Sequence, residues 1–121
     1  MNSITCKVIL LGESDVGKTI IISRFINGNF DSNSISSLST AYKLKTLYLS
    51  EYNKNINFEI WDSAGQEKFR SLVKIFYKNA NACILVYDIT NRRTFEELKN
   101  YWIKQVKTYC PPNIGKIFSC L

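Results

Sequence analysis

This 121-residue chain predicts an α/β fold on a mostly parallel sheet, and three observations carry the prediction. CKVILLG (6–12) and ACILVYD (82–88) are unbroken apolar runs of the kind that parallel strands covered on both faces show. YKLKTLYL (42–49) and INFEIWD (56–62) instead alternate, as strands with one wetter face do. Between these runs lie stretches with the helical period, so strand and helix signals interleave along one domain spanning 1–121.

After the first strand, Lys18 to Asn27 reads as a helix with Ile21, Ile22, Phe25 and Ile26 on its apolar stripe and Gly28 as its C′ stop. Residues 31–40, DSNSISSLST, are Ser-rich and read as a loop. The alternating runs 42–49 and 56–62 are separated by SEYNKN, which predicts an antiparallel hairpin. SAGQEKFR breaks the pattern, and a short helix follows to about Lys78. ACILVYD is the next buried strand, and Thr94 with Glu97 forms an expected capping box for a helix carrying Phe95, Leu98, Trp102 and Val106. Pro111 and Pro112 end that helix, and IGKIFSCL begins like another strand. The order β-α-β-β-α-β-α-(β) gives a sheet with right-handed crossovers.

Composition narrows the chemistry. Apolar residues make up 45% and charged residues 21%, which excludes disordered and collagen-like chains. The net charge is +6, yet the basic residues are spread rather than blocked, which reads as solvated faces and not as a nucleic-acid surface. There is no His, so the commonest general base and metal ligand are missing. Cys6, Cys83, Cys110 and Cys120 form no C-x-x-C pair and read as reduced thiols. MNSITCK shows no signal-peptide pattern, and no stretch approaches 18 apolar residues.

GESDVGKT (12–19) matches G-x-x-x-x-G-K-[ST] through Gly12, Gly17, Lys18 and Thr19. A buried strand before it and a helix directly after it supply the context that such a phosphate loop needs. Its glycines let backbone N–H groups turn inward, and the helix N-terminus adds positive potential. The phosphate-binding set is therefore Gly12, Ser14, Asp15, Gly17, Lys18, Thr19 and Ile20, with Lys18 on the β and γ oxygens and the Thr19 hydroxyl placed for Mg²⁺. WDSAGQE (61–67) adds three groups. Asp62 ends a strand where it can reach Mg²⁺ through a water, Gly65 lets its N–H approach a γ-phosphate, and Gln66 can orient an attacking water.

GESDVGKT, WDSAGQEKFRSL, FYKNA, ILVYDITNRRTFEELKNYW and RFINGNF together resemble the Rab family of Ras-like small GTPases, its endosomal branch most of all. The resemblance runs from about Cys6 to Ile114. It implies a P-loop NTPase three-layer sandwich with one antiparallel edge hairpin, here C-terminally truncated and lacking the final strands and helices. It implies GTP and GDP as ligands, Mg²⁺ as cofactor, hydrolysis of GTP to GDP and phosphate with Gln66 catalytic, and a role as a switch in vesicle traffic. An exchange factor, a GTPase-activating protein and Rab effectors are the implied partners. The loops at 31–40 and 62–76 would be switches, with Trp61, Phe69, Leu72 and Tyr77 on the effector face. For Trp61 and Tyr77, core packing and effector contact stay equally open.

The chain departs from the family in several places. The Mg²⁺-ligating Thr of the first switch is matched by Ser37, and the Gly shortly after it by Ser39. Ser63 replaces the usual Thr, Lys74 a Pro and Asn79 a Gly. Neither N-K-x-D nor the later S-A-K occurs, so no guanine-binding residue is assigned and discrimination against adenine should fade. Truncation should leave the apolar faces of CKVILL and ACILVYD partly bare, with ACILVYD short of a complete neighbouring strand. The ending Cys120-Leu121 is not C-a-a-X, so a cytoplasmic location is expected, with membrane attachment only for a longer prenylated form on the cytoplasmic face of endosomal or vesicle membranes. Two functions stay open: a GTPase switch, and a non-enzymatic fragment that binds phosphates weakly without choosing guanine. A P-loop ATPase or small-molecule kinase is disfavoured by WDSAGQE and by the lack of any lid signal.

Overall fold

A computed structural model describes residues 3–27, 42–62 and 74–120 of the chain. The elements are β1 (Ser3–Leu11), α1 (Lys18–Asn27), β2 (Tyr42–Leu49), β3 (Lys54–Asp62), α2 (Lys74–Tyr77), β4 (Ala82–Tyr87), α3 (Arg92–Glu97), a π-helical turn (Leu98–Trp102), α4 (Ile103–Tyr109) and β5 (Gly115–Cys120). The five strands form one sheet in the order β2-β3-β1-β4-β5. Only β2 runs antiparallel, as the hairpin partner of β3, with Tyr42 opposite Trp61 and Leu49 opposite Lys54. β1 lies at the centre, pairing Ile9 with Trp61 on one side and Cys83 on the other.

The apolar run of β1 feeds both faces because successive residues point to opposite sides. Ile9 and Leu11 join Cys83, Leu85, Phe76, Tyr77, Leu98, Trp102 and Val106 beneath α2 and the α3–α4 helix. Leu10 points the other way and joins Val16, Ile22, Ile60 and Val86 beneath α1. The described residues thus form three layers, helix on sheet on helix, as the family resemblance implies. The α1 face is covered by that one helix among the described residues. Beside it runs an entirely apolar groove of about 270 Å³, floored by Cys6, Val8 and Ile84 and flanked by Phe25 and Ile117. Phe25, expected on the buried stripe, stands at this margin, edge-on to Phe58 at 5.8 Å between ring centroids.

Two expectations need correction. β4 does not lack a neighbour: β5 pairs with it in parallel at six positions, from Ala82 opposite Gly115 to Tyr87 opposite Cys120. The bare strand is β5 itself, where Ile117 and Phe118 are each more than half exposed. Nor do Thr94 and Glu97 cap the second long helix. Asn91 is the N-cap, in extended conformation, and its side chain accepts from the Arg93 N–H. Thr94 sits inside the first turn, buried, where its hydroxyl accepts from the Asp88 N–H and donates to the Asn91 carbonyl. Glu97 closes α3, a turn too far along to reach back. At the other end, Cys110 is extended, as the residue before Pro111 must be, and the helix stops at Tyr109.

At the C-terminal end of β1 the chain passes so close to β4 that a Cβ on Gly12 would lie 2.3 Å from the Val86 carbonyl oxygen, and its φ is +153°. Both the contact and the backbone angle demand glycine. Gly12→Ala is expected to lower stability by about 2–5 kcal/mol through strain and overpacking together, read from urea unfolding midpoints. Burial also pushes the thiols of Cys6, Cys83 and Cys110 upward, Cys83 to about 11. A group whose value rises on folding stabilises fully below its unfolded value and loses that contribution as pH climbs through the folded one. Stability should hold to about pH 9 and then fall toward pH 11, with Cys83 accounting for about 2–3 kcal/mol. Unfolding curves of Cys83→Ala across that window should show a visibly shallower slope.

Candidate functional site

The loop between β1 and α1 is shaped by three positive φ values, at Gly12 (153°), Asp15 (64°) and Gly17 (105°). Backbone of alternating hand is of the kind that turns successive N–H groups toward one side and so can make an anion-binding concavity. Asp15 tolerates the left-handed region because its short polar side chain does so better than most. Val16 reaches back into the core under α1 and pins the loop, while Ser14 and Asp15 stay exposed. Gly17 accepts the first α1 hydrogen bond, from the Ile21 N–H at 3.1 Å.

Lys18 opens α1 with its side chain folded inward, 3% exposed. Its Nζ donates to the Gly12 carbonyl at 2.8 Å and to the Glu13 carbonyl at 2.7 Å, so the ammonium is fixed within the loop it follows. The next residue, Thr19, donates its hydroxyl to Asp62 Oδ2 at 2.9 Å. Asp62 ends β3 beside Leu10 and is 4% exposed. A hydroxyl and a carboxylate held together beside a buried ammonium are hard oxygen donors, the type that Mg²⁺ takes while keeping waters and phosphate oxygens in its remaining positions. The residues present therefore fit Mg²⁺, with Thr19 and Asp62 as the groups that would hold it. Among the described residues, no group of three or more His, Cys, Asp and Glu gathers elsewhere to hold a metal.

The expected phosphate-binding residues Gly12, Ser14, Asp15, Gly17, Lys18, Thr19 and Ile20 therefore fall in one loop and helix start, with Asp62 brought alongside from 43 residues away. Ser37, Gly65, Gln66, Phe69 and Leu72 lie outside the described residues. Trp61 is half-buried on the α2 side of the sheet, edge-on to Tyr42 and Phe76 and with Lys7 Nζ 4.5 Å above its ring. Burial lowers the Lys7 ammonium's affinity for its proton, opposed by the Glu59 charge. Tyr77 does not present itself on a face: it is fully buried, stacked on Tyr109 at 5.8 Å, and its hydroxyl has no partner among the described residues. Of the two readings left open for Tyr77, it takes core packing, because the α2–α4 contact closes over it. One contact that the motif did not announce joins Trp102 Nε1 to Glu13 Oε1 at 3.3 Å. The two residues are 89 apart in sequence, and no periodic signal connects them.

No helix among the described residues is long and apolar enough to cross a membrane. Residues 7–119 match the Ras family. Ras-related protein Rab-22A of Homo sapiens is 45% identical over 109 residues, which cover 89% of this chain and 54% of that protein. The chain thus spans about half the length of the curated relative it matches. The strand–loop–helix that holds Lys18 and Thr19, the Asp62 strand end beside it and a family match over residues 7–119 agree: the chain belongs to the Ras family.

Proposed function

We propose that this chain carries the phosphate- and magnesium-binding part of a Rab-like switch for vesicle traffic, taking GTP and GDP. The observation that carries this reading is the junction of buried Lys18 with the Thr19–Asp62 pair at the mouth of the 12–19 loop. Loop amides between Gly12 and Thr19 would hold the phosphate chain, and Lys18 would neutralise it from within. Thr19 and Asp62, with Ser37 as a further candidate, would hold Mg²⁺, which supplies charge neutralisation at the transferring phosphate. Gly65 and Gln66 complete the reading by family likeness, with Gln66 orienting the attacking water for hydrolysis to GDP and phosphate. Phe69 and Leu72, together with Trp61, would take effectors by family likeness, and an exchange factor and a GTPase-activating protein would set the switch. By family likeness, its place of action would be vesicle or endosomal membranes.

A second reading rests on a specific observation: these 121 residues contain neither N-K-x-D nor S-A-K. A chain with this phosphate site and no other base contact binds nucleotides by their phosphates and acts as an interaction module rather than an enzyme. Guanine selection by the missing Asp would come from two hydrogen bonds to a charged group, together about 3–6 kcal/mol.

Competition between GDP and ADP for the purified chain separates these readings. Comparable affinities, within about tenfold, are expected for the 121-residue chain. A preference for GDP of a thousandfold would show base contacts that the present motifs do not supply. In either case, Lys18→Ala should weaken GDP at least about a hundredfold, since it removes the only lysine within the loop. Calorimetry with and without Mg²⁺ reads the effect, and Asp62→Ala should abolish the magnesium dependence while leaving weak binding to phosphate.

A further inference from the structure

We propose that Glu13 and Trp102 form a positioning pair that fixes the phosphate loop against the α3–α4 helix and so sets Lys18 for nucleotide. The proposal rests on the nucleotide-binding reading above.

Position 13 is one of the four unspecified places in G-x-x-x-x-G-K-T, and phosphate chemistry gives it no task. A carboxylate there is in fact a liability, because it adds negative charge to a loop that receives anions. The structure turns it to use. The Glu13 side chain accepts from Trp102 Nε1–H at 3.3 Å, across the sheet end and into the α3–α4 layer. The same residue's backbone carbonyl accepts from Lys18 Nζ at 2.7 Å. One residue therefore joins a core tryptophan to the phosphate lysine. Its side chain sets the orientation of its peptide, and its peptide sets the ammonium.

Trp102 is built to serve as a fixed anchor. It is fully buried, and Tyr101 packs edge-on against its ring at 4.9 Å between centroids. It ends the π-helical turn, in which the Ile103 N–H reaches back to the Leu98 carbonyl. In a regular α-helix, residues four apart drift about 40° around the axis. The wider turn takes up that drift and keeps Leu98, Trp102 and Val106 all buried along one line. Single π turns of this kind are frequent at functional sites. Here it aims the only N–H of a tryptophan ring at a Glu13 carboxyl oxygen 3.3 Å away.

The test uses the Trp61→Phe chain, in which Trp102 is the sole indole, titrated with GDP and Mg²⁺ while Trp102 emission and calorimetric affinity are followed. Emission should change on binding in this parent chain. Glu13→Leu, on a partly exposed loop where folding should persist, should weaken GDP about tenfold and leave Trp102 emission unresponsive. Glu13→Gln keeps an acceptor oxygen and should recover both the affinity and the emission change. Trp102→Phe, made with Trp61 retained, keeps the ring and should weaken GDP to the same degree. Glu13→Leu combined with Trp102→Phe should be no weaker than either alone. Equal GDP affinity in the parent and Glu13→Leu, or simple additivity in the combined variant, overturns the pair while the nucleotide reading stands. Failure of the parent to bind GDP at all overturns both.

Discussion

The hydrogen on Gly12, where any other residue would put a carbon 2.3 Å from the Val86 carbonyl oxygen, lets β1 run into the phosphate loop while still pressed against β4. That contact fixes where the loop starts. Five residues later Gly17 adopts the loop's third positive φ and hands the chain to α1, so the loop is stretched between two glycine positions whose backbone angles L side chains rarely adopt. Val16 plugs its middle into the core below α1. The inward N–H groups, the Lys18 ammonium and the Thr19 hydroxyl inherit their places from this frame. They do not have to be assembled by long side chains, which lose rotamer freedom when fixed. The sheet supplies the rest: connections leave central β1 toward β3 on one side and cross to β4 on the other, and the loop and Asp62 lie together at that divide, where open α/β sheets hold ligands.

What the residues announced in advance was whatever depended on local period or on glycine. α1 spans Lys18–Asn27 and β2 spans Tyr42–Leu49, both as read from apolar spacing, and the hairpin that joins β2 to β3 follows from two alternating runs. What escaped depended on competition between near-equal local signals. In NRRTFEE both Asn91 and Thr94 can cap, and Asn91 takes the role because the chain is still extended there, while Thr94 serves the same helix start from within. The π turn was invisible because Leu98, Trp102 and Val106 at intervals of four fit an ordinary helix equally well. Tyr77 could have faced either way, and packing by a distant element, α4, decided it. Of the candidate site, the 12–19 loop and Asp62 were legible, because glycine spacing and a strand end carry them. Glu13 was legible as a letter of the motif but not as a contact, since its partner lies 89 residues on.

The two faces of the sheet differ in how they are closed, and the difference follows from chain order. The face under α2, α3 and α4 receives large side chains from three helical segments, and its aromatic residues interlock: Trp61 with Phe76, Phe76 with Tyr77, Tyr77 with Tyr109. Among the described residues, the face under α1 receives one ten-residue helix, and the apolar groove runs along its margin. The phosphate loop draws on both. Val16 belongs to the α1 face, whereas Glu13 reaches the Trp102 side. On the proposed reading, a loop tied to both layers would be held more tightly than one tied to either.

Affinity and selectivity are separable in this architecture for a physical reason. In the proposed site, phosphate would be met by main-chain donors and one ammonium, groups that any nucleotide engages alike, and among the described residues these lie within residues 12–19 with Asp62 at a strand end beside them. A base is distinguished only by side chains that leave unmatched hydrogen-bonding groups when the wrong base enters, and such side chains must come from another part of the sheet's C-terminal edge. The phosphate half can therefore be complete in local geometry while the choice between guanine and adenine is carried by residues that contribute nothing to it. On the proposed reading, the loop would set how tightly phosphates are held, and the Glu13–Trp102 contact would adjust that grip without reading the base.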